Sequence, residues 1–190
     1  MGASTGGLES FEKFFRNMPK DPGMAFVLVT HLDPTHTSIL PELLQKFTDM
    51  KVLQIEDGIK ASPNKVFVVS PNNELTILQG TFQLIAPTEP QAFRMSINFF
   101  LRSLAQDQRQ KAICIILSGM GTDGTLGLRD IKGELGMTMA QQETSAKFDA
   151  IPKSTINTGL VDYILSVENH GYRDLLVFDW LRRDLGMDWG

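Results

Sequence analysis

Residues 112–124 read AICIILSGMGTDG, a short apolar run followed at once by a turn with three glycines. The run at 112–117 is rich in isoleucine and has the length of a strand that is covered on both faces of a sheet. Similar runs occupy 24–30 and 65–69, and patterns with helical spacing lie between the runs. This alternation predicts an α/β fold, with a doubly wound, mostly parallel sheet and helices on both faces.

Further elements are predicted around these runs. Ser96 directly precedes a helical pattern, so we expect it to be the N-cap of that helix. Residues 74–78 and 81–85 flank Gly80 and predict an antiparallel hairpin at one edge of the sheet. The remaining predictions are helices near 8–15, 39–47 and 97–104, a helix over 125–135, a strand over 137–141 and a short helix beginning near Pro152.

Length and charge restrict the class of protein. A chain of 190 residues fits one domain with a sizeable core, so we expect 1–190 to be a single domain. The net charge of -4, the pI near 5.4 and the lack of a Lys/Arg block argue against a nucleic-acid partner. No segment reaches the roughly 18 apolar residues of a membrane helix, and no signal-peptide pattern opens the chain. These features predict a cytoplasmic protein without membrane insertion.

The sequence offers no pattern of metal ligands and one cysteine. No spacing of His, Cys, Asp and Glu resembles a metal site, so we expect no metal. Cys114 lies inside the apolar run at 112–117. A small apolar side chain fits there, so Cys114 is predicted to be a core thiol and not a reactive one.

Three side chains that can carry out hydrolysis are predicted at the ends of strands. They are Ser4 in the turn GASTGG at 2–7, His31 after the run at 24–30, and Asp123. A serine hydroxyl becomes a nucleophile when an imidazole takes its proton, and a carboxylate holds that imidazole in one tautomer. Because the carboxyl ends of parallel strands meet at one edge of a sheet, the three residues are predicted to form a Ser-His-Asp site.

The glycines of the two turns predict groups that stabilise an oxyanion. Glycine lets the backbone adopt positive φ and approach a substrate closely. A helix that begins just after Ser4 also directs its free N–H groups towards the site. The main-chain amides of Thr5 and Met120 are the expected donors to a developing oxyanion.

Taken singly, each of these features has another interpretation. A glycine-rich turn before a helix also suits a phosphate, so a non-catalytic nucleotide-binding module is an alternative. His31 alone is typical of a hydrogen-bonded structural histidine, and Asp123 alone of a turn aspartate. A catalytically silent regulatory domain is a further alternative. The hydrolase interpretation depends on all three residues occurring together.

The same motifs resemble those of a known family. The turn at 2–7, the segment THLDP at 30–34 and the turn at 118–124, in this order, are similar to the catalytic domain of the CheB-type protein-glutamate methylesterases of bacterial chemotaxis. The resemblance implies Ser4 as the nucleophile, His31 as the general base and then acid, and Asp123 as the orienting carboxylate. It also places Thr5 and Met120 on active-site positions and implies no cofactor.

The resemblance further implies a substrate and partners. The substrate would be a glutamyl γ-methyl ester on the cytoplasmic helical bundle of a methylated chemoreceptor, and some relatives also deamidate glutamine. Residues 31–44 look most like the version fused to a CheR-type methyltransferase and sensor domains in large hybrid proteins. We therefore expect such domains in the same polypeptide.

Both ends of the chain depart from the family pattern. The family has a strand immediately before the nucleophile turn, whereas this sequence supplies only Met1 and Gly2 ahead of Ala3. The first strand is therefore expected to be truncated and Ser4 loosely held. Residues 172–190 have helical spacing but are unlike the family core, so they are expected to form an additional C-terminal helix without an assigned role.

Overall fold

The structure is a computed structural model that describes residues 1–30, 39–70, 72–88 and 94–168. His31 and the C-terminal segment 172–190 lie outside the described residues. In the described ranges the strands are β1 (Gly2–Ala3), β2 (Ala25–Thr30), β3 (Lys51–Gln54), β4 (Lys65–Val68), β5 (Glu74–Leu78), β6 (Thr81–Ile85), β7 (Ile113–Ile116), β8 (Met137–Gln141) and β9 (Tyr163–Leu165). The α-helices there are α1 (Gly7–Arg16), α2 (Leu40–Gln45), α3 (Ser96–Gln108), α4 (Thr125–Gly133) and α5 (Ala150–Ile156).

Seven strands form one parallel sheet in the order β3-β4-β2-β1-β7-β8-β9. This confirms the predicted α/β architecture. The predicted hairpin also forms, from β5 and β6, and it makes a two-stranded antiparallel sheet of its own. The hairpin packs on α3, where the Ile77 N–H donates to the Ser103 hydroxyl at 3.2 Å.

The order of the strands places β1 at the point where the chain changes direction across the sheet. From β1 the chain passes to β2 on one side, and it later returns to β7 on the other side. We call the side where the parallel strands end the carboxyl edge, and the opposite side the amino edge. In open α/β sheets, ligands bind at the carboxyl edge beside such a switch point.

Strand β1 is two residues long, and it pairs on both sides. Gly2 pairs with Val29 of β2 and Ile116 of β7, and Ala3 pairs with Thr30. A Cβ atom at Gly2 would come within 2.6 Å of the Ile97 side chain, so α3 lies directly against the strand at this point. The strand before the nucleophile turn is thus present over two residues.

The core has two parts, one on each face of the sheet. On one face, edge-to-face contacts join the rings of Phe14 and Phe15 in α1 to Phe26 in β2. On the other face, α3 packs over the sheet through residues such as Phe100 and Leu101. Cys114 is buried in this second cluster, and burial raises the pKa of its thiol to about 12, as expected of a core cysteine.

Candidate active site

Ser4 is the first residue after β1, and it begins the turn that leads into α1. The Gly7 N–H donates to the Ser4 carbonyl at 2.9 Å, which closes the turn. Gly6 has φ +80°, and a Cβ atom there would lie 2.8 Å from Ser118 Oγ and 2.9 Å from the Phe148 ring. Position 6 therefore requires glycine for both its backbone conformation and its surroundings. The turn holds Ser4 at the switch point with 8% of its surface exposed.

The two glycine-rich turns contact each other directly. The Ser4 N–H donates to the Ser118 carbonyl at 3.0 Å. A Cβ atom at Gly119 would lie 2.8 Å from Ser4 Cβ, so glycine allows the second turn to pass close to the serine. Ser118 Oγ bonds to the Thr5 carbonyl at 3.2 Å and accepts the Phe148 N–H at 3.0 Å. The main chain around Ser4 is thus fixed from the side of the second turn.

Asp123 caps the N-terminus of helix α3, which lies more than 20 residues earlier in the chain. Its carboxylate oxygens accept the backbone N–H groups of Ile97 and Asn98, each at 2.9 Å, at the beginning of α3. These N–H groups have no partner within the helix, and a carboxylate is a strong acceptor for them. The prediction of Ser96 as N-cap is wrong, because Met95 occupies that position and Ser96 is the first helical residue. The contacts fix the plane of a carboxylate that is 5% exposed.

Asn98 completes a reciprocal arrangement. Its side-chain oxygen accepts the Gly124 N–H at 3.0 Å and the Gly127 N–H at 2.8 Å, at the beginning of α4. Asp123, in the turn before α4, therefore caps α3, and Asn98 in α3 caps α4. The turn that carries Asp123 is anchored at both of these points.

Of the other predicted site residues, the structure describes Thr5 and Met120. Thr5 and Met120 are both exposed at the carboxyl edge, and Met120 is 61% exposed. They directly follow Ser4 and Gly119, the residues at which the two turns contact each other. His31 is outside the described residues. Thr30, the residue before it, pairs in register with Ala3, the residue before Ser4. The structure thus brings Ser4 and the Asp123 turn together and leaves the place of His31 a prediction.

Comparison with known proteins identifies the family. The family model of the CheB methylesterase matches residues 1–172. The chain belongs to the CheB methylesterase family. Its structure resembles the crystal structure of the Thermotoga maritima CheB methylesterase catalytic domain with a TM-score of 0.85 and 29% sequence identity, over 93% of this chain and 95% of the other.

Curated relatives in the CheB family are longer than this chain. Protein-glutamate methylesterase/protein-glutamine glutaminase 3 of Pseudomonas aeruginosa is 31% identical over 94% of this chain and 54% of its own length. A protein of the same name from Thermotoga maritima, without the number, is 30% identical over 87% of this chain and 49% of its own length. The chain thus spans about half the length of these relatives.

The hydrogen bonds of the first turn oppose the phosphate-cradle alternative. A cradle needs backbone N–H groups that point outward to an anion. In this CheB family member the Ser4 N–H is bonded to Ser118, and the Gly7 N–H is bonded within the turn. The space beside Gly6 is filled by Ser118 and Phe148. The glycines of the first turn therefore allow it to pack against the second turn of the protein.

Sequence reasoning missed Gln141, which joins three elements beneath the site. Its side-chain oxygen accepts the Ser10 hydroxyl and the Ser118 N–H, each at 2.9 Å. Its amide nitrogen donates to the Ser145 carbonyl at 2.8 Å. Gln141 is fully buried, so each of its bonds matters. A glutamine that ends a predicted buried strand is the signal that could have found it.

Two further features bear on the type of site. Among the described residues, no three His, Cys, Asp or Glu side chains are grouped as metal ligands would be. The helices within those ranges include none whose length and apolar character would let it cross a membrane.

Proposed function

We propose that this chain is a serine hydrolase that removes methyl groups from glutamyl γ-methyl esters on the cytoplasmic helices of a chemoreceptor. The observation that carries the proposal is the position of Ser4, at the switch point of the sheet and in direct contact with the turn of Asp123. The names of the relatives, protein-glutamate methylesterase/protein-glutamine glutaminase, support a glutamyl methyl ester of a protein as the substrate and also support glutamine side chains as a second one.

In the proposed reaction Ser4 Oγ attacks the ester carbonyl carbon while His31 takes the hydroxyl proton. The tetrahedral intermediate collapses, the C–O bond to the methoxy group breaks, and His31 returns the proton so that methanol leaves. A water molecule then attacks the acyl-enzyme with His31 again as base. Glutamate is released and Ser4 is regenerated. With glutamine as substrate, ammonia takes the place of methanol.

Asp123 is proposed to orient His31 and to stabilise its protonated form. The two carboxylate oxygens accept two N–H groups of α3, and an ionised carboxylate offers about four acceptor positions in all. The carboxylate can therefore cap the helix and bind an imidazole N–H at the same time. The turn-aspartate alternative for Asp123 is compatible with this role, because the cap fixes the carboxylate that the imidazole would contact.

The main-chain N–H groups of Thr5 and Met120 are proposed to bind the oxyanion. Both residues lie at the carboxyl edge, one in each of the two turns that meet at Ser4. Removing one donor of this kind costs an enzyme about 3 kcal/mol of transition-state stabilisation. The contact between the turns would keep the two donors at a fixed separation.

The proposed partner is a methylated chemoreceptor or a receptor-like helical bundle. We further propose that a CheR-type methyltransferase and sensor domains belong to the same polypeptide. A relative of 104.1 kDa from Rhodobacter capsulatus, 33% identical over 70% of this chain, is matched over only 14% of its own length. This relative supports the proposal because a segment like this one occurs there within a much larger protein.

The test is release of methanol from a methylated receptor fragment. The unaltered chain should release methanol and leave glutamate, and the Ser4→Ala variant should release none above background. Ser62→Ala is a matched control, because Ser62 lies before β4 at the amino edge, and it should retain full activity. Equal release by the Ser4→Ala variant would contradict the proposed nucleophile, and no release by the unaltered chain would contradict the substrate.

A further inference from the structure

Two main-chain N–H groups in the turns that meet at Ser4 have no acceptor within the described ranges. They belong to Thr5 and Met120. The N–H groups of the residues just before them, Ser4 and Gly119, are both bonded inside the protein. The unbonded pair therefore differs from its immediate neighbours in the way that donors to an oxyanion require.

The direction of each unbonded N–H is set through the carbonyl of the same peptide. The Ser4 carbonyl accepts the Gly7 N–H at 2.9 Å, and the Gly119 carbonyl accepts the Ile151 N–H at 3.0 Å. Both peptides are trans, so the N–H of each points opposite to its carbonyl. The first donor therefore points away from Gly7, and the second points away from Ile151.

A third segment of the chain, residues 148–151 at the beginning of α5, holds the peptide of the second donor. We call it the support segment. The Gly119 N–H donates to the Phe148 carbonyl at 2.9 Å, so the segment bonds to both the N–H and the carbonyl of Gly119. A Cβ atom at Gly119 would lie 2.7 Å from Cδ1 of Ile151, whose side chain is fully buried. The support segment thus determines where the second donor lies.

The Ser118 hydroxyl joins the support segment to the turn of the first donor. Its oxygen accepts the Phe148 N–H at 3.0 Å and lies 3.2 Å from the Thr5 carbonyl and 3.3 Å from the Phe148 carbonyl. A hydroxyl has one proton to donate, and the shorter contact directs it to Thr5. Ser118 is fully buried, so water does not replace these bonds. The hydroxyl therefore couples the position of one donor to that of the other.

We propose that Ser118 is a positioning residue for the oxyanion hole, whose hydroxyl fixes the separation of the Thr5 and Met120 N–H groups. The inference rests on the proposed hydrolase function and adds to it a buried residue that does not touch the substrate. Donors that are fixed in advance stabilise an oxyanion most, because they need not reorganise as the charge develops. Ser118 should therefore affect the transition state and not the binding of the ester.

The test measures kcat and KM for methanol release from a methylated receptor fragment by Ser118→Ala. Loss of a whole oxyanion donor lowers kcat by about 10² to 10³, and displaced donors should cost less, so kcat should fall about 10- to 100-fold. KM should change by less than about twofold, as expected for an interaction made only in the transition state. Ser154→Ala is the matched control, because the Ser154 hydroxyl bonds within α5, to the Ile151 carbonyl at 2.9 Å, and it should keep kcat.

A boronic acid separates positioning from a purely structural role. In a peptide with boron in place of the ester carbon, Ser4 Oγ bonds to boron, its proton passes to His31, and a tetrahedral anion enters the oxyanion hole. The glutamate product forms no such bond. In Ser118→Ala the affinity for the boronic acid should fall by the same factor as kcat, and the affinity for the product should not change. Equal loss of affinity for both ligands, or loss for neither, would overturn the proposal.

A second variant keeps the test decisive if Ser118→Ala does not fold. Ser118→Cys retains a weak donor and acceptor at the γ position, so its kcat should be lower than that of the unaltered chain, with KM unchanged. An unaltered kcat in either folded variant would overturn the positioning role. If the unaltered chain released no methanol, the proposed substrate would be wrong, and the affinity for the boronic acid would still test Ser118.

Discussion

Around strands β1, β2 and β7, the carboxyl edge and the amino edge of the sheet are organised differently. At the carboxyl edge, side chains from several elements bond to the turns after these strands, through Gln141, Asn98 and Asp123. At the amino edge, β2 and β7 flank a cavity and a buried amino group. The difference shows that Ser4 is held chiefly by the second turn and its supports, and only in part by its own short strand.

This comparison revises the expectation that a short first strand leaves Ser4 loosely held. The Ser4 N–H and the closed turn to Gly7 fix its main chain, and Ser118 is in turn bonded to Gln141. Substitutions at the carboxyl edge should therefore affect activity strongly. Changes at the amino edge should affect stability more than activity.

The largest expected effect is on turnover, from Asp123→Asn. Asparagine can keep one acceptor for α3, but it favours the wrong tautomer of His31, so turnover should fall by about 10⁴ while the fold persists. Methanol release and circular dichroism measure the two effects. Phe100→Leu is the matched control, because Phe100 lies in α3 but faces the cavity at the amino edge of the sheet. It should change stability without comparable loss of turnover. A loss of less than tenfold in Asp123→Asn would contradict the role of this carboxylate.

The next effect is on stability, from Asn98→Ala. This change leaves the N–H groups of Gly124 and Gly127 without their acceptor, at a cost of about 3 kcal/mol in the free energy of unfolding. Turnover should fall as well, because the Asp123 turn loses an anchor. Asn157→Ala removes the same side-chain atoms at an exposed position and should cost much less, as urea denaturation would show. Equal destabilisation by the two variants would contradict the capping role.

At the amino edge we expect a dependence of stability on pH. The pKa of the Met1 amino group is about 6 in the folded protein and 8.0 as its ordinary value. Between these values the unfolded chain binds more protons, so the free energy of unfolding should rise with pH from 6 to 8, by about 2 kcal/mol. Urea denaturation at both pH values tests this. The protein acetylated on the Met1 nitrogen should show a smaller rise, and an equal rise would contradict the assignment to Met1.

The smallest effect is expected from Gln141→Leu. The substitution keeps the volume but leaves the Ser118 N–H and the Ser10 hydroxyl without their acceptor, at a cost of about 2 kcal/mol. Ser10→Ala removes only the second of these groups and should cost less. Thermal denaturation orders the two variants. A larger effect of Ser10→Ala would show that the bond to Ser118 contributes little.

The sequence predicted the fold because its apolar runs are short, buried and separated by helical patterns. It also predicted that the turns of Ser4 and Asp123 meet, because both follow parallel strands near the centre of the sheet. Strand β3 was not predicted, since Lys51–Gln54 is an edge strand with little of the apolar character of the others.

The supports of the site could not be predicted from local sequence. Gln141 bonds to Ser118, 23 residues away, and Asn98 bonds to Gly124, 26 residues away. Only the tertiary fold brings such pairs together. The same reason explains the error at Ser96, because a local capping rule cannot foresee that Asp123 supplies the cap. The role of His31 remains a prediction.

The most direct test of the central claim is covalent labelling by a fluorophosphonate, which reacts with an activated serine. We predict that mass spectrometry locates the label on Ser4, and that Ser4→Ala and His31→Ala each abolish labelling while the folded state is retained. Labelling that persists in the Ser4→Ala variant, or that is unchanged in His31→Ala, would contradict a site in which residues 4, 31 and 123 act together.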